Sequence, residues 1–319
     1  MIDVCFASSS AFEGCLSSCR NAATVLGGSW TAIPRDGRTA ATVFDSNLLV
    51  LSSWDDHYET ILAQRRAPTV LRWHSAILQT ELSHESAKLA AVVGLLEREA
   101  IPALAVNDPQ LAAVLCRDGV VHLPDVLAES EYQQVAPIGL RGVNVSLFGA
   151  PHWRKNLFAQ SAGFDRIRRA AERGECTLHL NGQSLADRGY EEWLATTRIP
   201  YVDHGPLDRP SYLSLVASMD AGLCASLSES YGYVAADHVA LGVPVVISPA
   251  VACLGPAPDG VPPGSVEALA QALSDALTDP AACVRSQRER LTVQARANAS
   301  VAGAALTEIV QRVRSGRRG

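Results

Sequence analysis

Short apolar runs alternate along this chain with longer stretches in which apolar side chains recur every three or four positions. A continuous apolar run bounded by turn residues marks a strand buried on both faces. A 3.6-residue recurrence marks a helix with one buried stripe. On this basis strands are expected at Asp3–Ala7, Asn47–Ser52, Thr69–Trp73, Ala103–Val106 and Val120–Leu123 in the first half. Helices are expected between them at Gly14–Leu26, His57–Arg65, Glu85–Glu99 and Gln110–Cys116. The second half repeats the alternation, with strands at Val143–Phe148, Cys176–Leu180, Tyr201–Asp203, Gly222–Ala225 and Val245–Ser248. Its helices are expected at Lys155–Arg173, Ser211–Ser218, Tyr231–Leu241, Val266–Leu277 and Ala281–Asn298, and a last helix at Ala302–Arg314 closes the chain. Strand–helix alternation of this kind predicts an α/β protein with mostly parallel, doubly wound sheets. The polar stretch Ala128–Gly142, with Pro137, Gly139 and Gly142, interrupts the pattern. It is the expected boundary between a domain of residues 1–137 and one of residues 138–299.

Composition narrows the class. The chain has 319 residues, enough for two domains, and its 48% apolar and 19% charged residues suit buried cores rather than disorder. A net charge of −6 argues against nucleic acid as the partner. The eight cysteines are scattered and form no C-x-x-C pair, so reduced, buried thiols are expected rather than zinc or redox chemistry. Neither a signal peptide nor a transmembrane segment is apparent, and a cytoplasmic protein is expected.

Several chemistries are excluded by spacing. None of the 23 glycines stands two positions from another, so there is no G-x-G-x-x-G dinucleotide fingerprint. The phosphate-loop and nucleophile-elbow motifs are also missing. No two aspartates are two apart, which removes a D-x-D metal clamp, and Asp55-Asp56-His57 is better read as a solvated loop than as a metal cluster. The informative stretch is Ser226–Ser248, SLSESYGYVAADHVALGVPVVIS. Glu229 precedes the turn Tyr231-Gly232-Tyr233, Asp237 follows eight positions later, and the helix ends at Gly242 before a buried strand. A helix start after such a turn favours an anion, and carboxylates on either side suit sugar hydroxyls.

This segment resembles the Glu-x7-Glu signature of retaining glycosyltransferases of the GT-B fold, family 4 type, with Asp237 in place of the second Glu. The resemblance covers most of residues 143–290. Val145–Gly149 followed by Trp153-Arg154-Lys155-Asn156 is similar to the family's first strand and phosphate loop. There Lys155 stands at the Lys position, Ala150 at the Arg position, and Arg154 is the substitute cation. Leu178–Gly182 resembles the second strand and turn, which implies roles for Asn181 and Gly182. His204-Gly205-Pro206-Leu207 resembles the turn beside which the nucleobase lies. The resemblance implies that Glu229 contacts donor-sugar hydroxyls, that the N–H groups of Ser230, Tyr231, Gly232 and Tyr233 cradle phosphate, and that Asp237 takes the ribose diol. In the first domain, His74 resembles the strand-end His that approaches the donor sugar. Ser9, Ser10 and Gly14 lie in a loop similar to the acceptor loop.

The implied fold is GT-B: two Rossmann-like doubly wound domains facing across a cleft, with the helix of about residues 300–319 packing on the first. The implied activity is retaining, metal-independent transfer of a sugar from a UDP-, GDP- or dTDP-sugar to an acceptor the sequence does not identify, with Glu229, His74 and Lys155 at the reacting centre. No cofactor is expected, the nucleotide-sugar being a co-substrate. A homo-oligomer or a partner subunit is compatible with the sequence. Three alternatives stand beside the transferase: a sugar-nucleotide epimerase, a pseudo-glycosyltransferase, and a catalytically inactive GT-B module acting as a binding or scaffold subunit.

Overall fold

A computed structural model describes residues 3–9, 13–34, 41–55, 58–81, 83–149, 152–170, 175–181, 188–257 and 260–316. They form two compact units, one of residues Met1–Ala128 with Ala295–Gly319, the other of residues Glu129–Gln294. The division falls at Ala128/Glu129, earlier than the expected Pro137, because the turn at Glu129–Tyr132 is bound into the second unit by side-chain contacts described below.

In the first unit, β1 (Val4–Ser9), β2 (Ser29–Ile33), β3 (Leu48–Ser52), β4 (Thr69–Trp73), β5 (Leu104–Val106) and β6 (Val120–His122) form one sheet in the order β2-β1-β3-β4-β5-β6. Every pairing is parallel. Helices α1 (Glu13–Leu26), α2 (Ala41–Asp45), α3 (Tyr58–Gln64), α4 (Ser83–Glu97) and α5 (Pro109–Leu115) connect the strands. Because successive strand side chains point to opposite faces, β1 gives Val4 and Phe6 to one core and Cys5 and Ala7 to the other. The first core is completed by Ala302, Ala305, Ile309 and Val313 from the end of the chain. Burial on both faces is why these strands read as unbroken apolar runs. Sequence periodicity did not reveal β2, whose first residues are exposed, or the five-residue α2.

In the second unit, β7 (Val143–Ser146), β8 (Cys176–Leu180), β9 (Tyr201–Asp203), β10 (Ala221–Cys224) and β11 (Val245–Ile247) form a parallel sheet in the order β11-β10-β7-β8-β9. Helices α6 (Leu157–Ala170), α7 (Arg188–Thr197), α8 (Arg209–Val216), α9 (Tyr233–Leu241) and α10 (Val266–Thr278) cover it. The main core joins Val145, Leu178, Leu180 and Leu223 to Leu157, Phe164, Leu269 and Leu273 of α6 and α10. Gly163 lets those helices close, since a Cβ there would meet the Leu269 Cβ at 3.0 Å. The two helices expected at the end of the chain are one, α11 (Pro280–Gly316), for no proline interrupts the run after its first residue. Gln287 of α11 bonds both the N–H and the C=O of Val245, satisfying the backbone of edge strand β11. Among the described residues no helix is long and apolar enough to cross a membrane.

On the opposite face of the second sheet, beside an apolar cluster of Phe148, Leu215, Val216, Met219 and Val243, the fit is tight. Gly222 lies under the ring of buried His238, whose Nδ1 donates to Val234 O (2.6 Å) and whose Nε2 accepts from Ser146 Oγ (2.5 Å). A Cβ on Gly222 would stand 2.5 Å from His238 Cδ2. Gly222→Ala is therefore expected to cost about 1–3 kcal/mol in urea unfolding. Gly14→Ala, where nothing lies within 4 Å, is expected to be neutral or stabilising by up to about 1 kcal/mol. Equal effects would contradict this packing.

Candidate functional site

Open parallel sheets collect ligand-binding loops at the carboxyl ends of their strands, where the strand order reverses. In the second sheet that point lies between β7 and β10, neighbours in space although β8 and β9 come between them in sequence. The loops leaving these two strands carry the charged residues singled out by the sequence.

After β7 the chain turns at Gly149, whose φ of +146° is a left-handed value favouring glycine. The bare Cα also leaves room for the aliphatic stem of Lys155, which passes 3.6 Å from a hypothetical Cβ. A short 3-10 turn, Trp153–Lys155, follows and ends at Asn156 with φ +56°. Asn156 Nδ2 donates to Ala225 O (3.1 Å) and Pro263 O (2.6 Å), and Leu227 N donates to Arg154 O (2.6 Å). Gln160 strengthens the junction by accepting from Ala225 N and donating to Lys155 O. These bonds fasten the loop after β7 to the loop after β10.

The consequence is a cluster of three charges. Lys155 Nζ donates to Glu229 Oε1, which also accepts from Ser226 Oγ at 2.8 Å. Arg154 Nη1 donates to Ser228 O at 3.2 Å and stands 3.5 Å from Glu229 Oε2. The Glu229 side chain is only 6% exposed. Burial alone would raise its pKa, but the charges of Lys155 and Arg154 and the bonds from Lys155 and Ser226 outweigh burial and hold it below the ordinary carboxylate range. Two cations against one carboxylate leave one net positive charge. Arg154 Nε is buried with no hydrogen-bond partner among the described residues.

Beside this cluster α9 begins at Tyr233. Its N-cap, Gly232, has φ +92°, and no side chain caps the helix. A Cβ at Gly232 would come within 2.9 Å of Val251 Cγ1. Tyr231 is buried, its ring 4.7 Å from that of Tyr233, while Ser230 is half-buried. After β8, Asn181 Oδ1 accepts from Gly149 N at 3.3 Å. After β9 come His204 and Gly205, whose N–H donates to Asp203 Oδ1 at 3.0 Å. Gly182 and Ala150 lie outside the described residues.

Asp237 departs from expectation. Instead of offering a free carboxylate, it is 1% exposed and both its oxygens are occupied. Arg209 Nη2 and Tyr132 Oη donate to Oδ1 at 2.7 and 2.8 Å, and Arg209 Nη1 donates to Oδ2 at 2.8 Å. Arg209 also forks onto Glu131 at 3.1 and 2.7 Å. Position within α9 explains this, for Asp237 falls among the buried residues Ala235–Val239, where an unpaired charge is untenable. Arg209, Tyr132 and Ser226 were not anticipated from sequence. Arg209 is the second residue after His-Gly-Pro-Leu, just behind the N-cap Asp208, and carries no motif of its own.

The residues of interest in the first unit gather at the carboxyl edge of its own sheet. Ser9 N donates to Tyr58 Oη at 2.7 Å, and Ser8 Oγ donates to Ser52 O. Gly14, in α1, has no positive φ and open space around it, so no backbone demand explains a glycine there. His74 follows β4 with its Nδ1 3.8 Å from Asp125 Oδ2, and its Nε2 is buried without a partner among the described residues. Burial, then the charge of Arg72, lowers its pKa, keeping the ring neutral at pH 7. Asp125 is held by Arg72, Ser18 and Asn107. Ser10, Asp56 and His57 lie outside the described residues.

Removing one member of a buried ion pair leaves its partner's charge unsatisfied. Arg209→Met is expected to destabilise by about 3–5 kcal/mol in chemical unfolding. The double variant Arg209→Met/Asp237→Leu is expected to recover much of that loss. A double variant as unstable as the single one would contradict the pairing.

Residues 143–279 match the family model described as glycosyl transferases group 1. No curated protein matches the chain by sequence. Among solved structures, a UDP-forming trehalose-phosphate synthase from Burkholderia xenovorans superposes with a TM-score of 0.66 at 13% identity, covering 98% of this chain and 99% of that one. Trehalose 6-phosphate synthase from Burkholderia multivorans gives 0.65 at 14% identity, covering 100% and 98%. Sucrose-phosphate synthase from Thermosynechococcus elongatus gives 0.60 at 19% identity, covering 88% and 81%. The parallel sheets and these likenesses establish the GT-B fold, and the second unit carries the match to a group 1 glycosyl transferase domain.

Proposed function

We propose that this protein transfers a sugar from a nucleotide-sugar donor to an acceptor with retention of anomeric configuration and without a metal. The observation that carries this reading is the Lys155–Glu229–Arg154 cluster at the strand-order reversal, with its net positive charge and its unpartnered Arg154 Nε. A departing nucleoside diphosphate develops negative charge. Fixed cations in a poorly hydrated setting stabilise that charge without reorganising. Arg154 and Lys155 take this role, assisted by the uncapped start of α9 with its N–H groups from Ser230 to Tyr233. Glu229, whose Oε2 has no hydrogen bond among the described residues, acts as an acceptor for donor-sugar hydroxyls rather than as a covalent nucleophile. Asn181, His204 and Gly205 follow along the same edge toward the nucleoside. Asp237 acts indirectly by fixing Arg209. His74 and Ser9, at the carboxyl edge of the first sheet, serve the acceptor.

Three of the structural neighbours are named as UDP-forming, so UDP is the first nucleotide to test. Saturation with UDP, GDP or dTDP at a hundred times the dissociation constant is expected to stabilise the protein by about 2.7 kcal/mol, read as a thermal shift. Lys155→Ala is expected to weaken nucleoside-diphosphate binding by about 1.5–3 kcal/mol while sparing the nucleoside, since its partner is phosphate. Equal loss for both would remove Lys155 from the phosphate site. Glu229→Gln is expected to lower turnover far more than nucleotide affinity. The engagement of Asp237 favours a second reading, a GT-B module that binds but does not react. A thermal shift with no sugar transfer to any acceptor would select it.

A further inference from the structure

A chain of hydrogen bonds crosses the second sheet from the amino ends of β7 and β10 and ends at His204, just after β9. Asn144 in β7 donates through Nδ2 to Gly142 O (3.1 Å) and toward Asp220 Oδ2 (3.4 Å), which also accepts from Asn144 N (2.7 Å). Both partners are acceptors, so the Asn144 amide has one chemically acceptable orientation, with Oδ1 directed the other way. Oδ1 meets His179 Nε2 at 3.0 Å and must accept, so the His179 proton resides on Nε2. His179 Nδ1 is then a bare lone pair, and it meets His204 Nε2 at 2.8 Å. His204 must donate there. The two rings are nearly parallel at 13° with centroids 5.1 Å apart, an end-to-end arrangement in which the bond lies in the ring planes.

A neutral imidazole carries one N–H. With that proton committed to Nε2, His204 Nδ1 is an acceptor, and among the described residues nothing donates to it. His179 stays neutral, because burial and then the adjacent His204 push its pKa down to about 4. His204 itself is half-exposed and lowered by burial, with Asp203 acting in the opposite direction. Position gives this acceptor its meaning. Lys155 leaves β7, Asn181 leaves β8 and His204 leaves β9, so the three follow one another along a single edge. Neighbouring strands are about 4.8 Å apart, which places the end of β9 roughly 10 Å from the end of β7. On the sugar-nucleotide reading, a nucleoside diphosphate with its phosphates on Lys155 would span that distance and set its base beside His204.

We infer that His204 Nδ1 selects nucleobases presenting a ring N–H beside a carbonyl, namely uracil, thymine and guanine, over cytosine and adenine, whose corresponding ring nitrogen is itself an acceptor. This rests on the sugar-nucleotide reading above. Two acceptors facing each other leave both unsatisfied, a heavier penalty than losing a hydrogen bond to solvent.

UDP and CDP carry the same phosphates and ribose and differ on this edge of the base, so the ratio of their dissociation constants isolates the effect. Calorimetry is expected to show UDP binding at least about 10-fold tighter than CDP. His204→Phe is expected to bring that ratio close to one. As a check that needs no variant, 15N spectra of histidine-labelled wild-type protein at pH 8 are expected to show His204 as the Nε2–H tautomer. Equal binding of UDP and CDP by the wild type, an undiminished preference in His204→Phe, or an Nδ1–H tautomer would each overturn the inference while leaving the sugar-nucleotide reading intact. No binding of UDP, GDP, dTDP or CDP would overturn both.

Discussion

The second unit is organised around the problem of keeping the Glu229 carboxylate ionised in a place nearly closed to water. A lone buried charge is untenable, so the structure brings Lys155, Arg154 and Ser226 to it from two different loops. That requirement fixes much else. The loops must reach each other, which they do because β7 and β10 are adjacent and parallel. They must also hold their shape, which the Asn156 and Gln160 side chains ensure by bonding backbone across the gap. Glycine at position 149 leaves the space in which the lysine stem lies.

The same physics gives opposite results at the two acids of the signature. Glu229 sits in a loop, where Lys155 and Ser226 share one of its oxygens and Arg154 stands 3.5 Å from the other. Asp237 sits on the inner side of a helix, where the only way to remain charged is to be fully paired. Seven intervening residues make them look alike in the sequence, yet one ends at the edge of the fold and the other within it.

How far the sequence could be read follows from this contrast. The buried strands were plain because both of their faces are covered. Val4-Cys5-Phe6-Ala7 and Leu48-Leu49-Val50-Leu51 therefore contain no polar interruption that blurs the pattern. Strand β2 was missed because Ser29 and Trp30 face solvent, and α7 because only Tyr190 and Leu194 of its ten residues are buried. Lys155 and Glu229, singled out from the sequence by resemblance, do meet in one ion pair. Arg209 and Tyr132 were not singled out, since what makes them matter is a partner 28 or 105 positions away. The direction of the bonds through Asn144, His179 and His204 was equally hidden, for it depends on which acceptors surround one amide.

The attachment of the Glu129–Tyr132 turn bears on how the second half of this chain can be produced by itself. A fragment beginning after the proline- and glycine-bearing stretch, where composition invites the cut, would discard Glu131 and Tyr132 and strip the guanidinium of Arg209 of half its carboxylate partners. Expression boundaries should therefore precede residue 129, retaining a stretch of sequence that looks like dispensable tether and is instead part of the folded body.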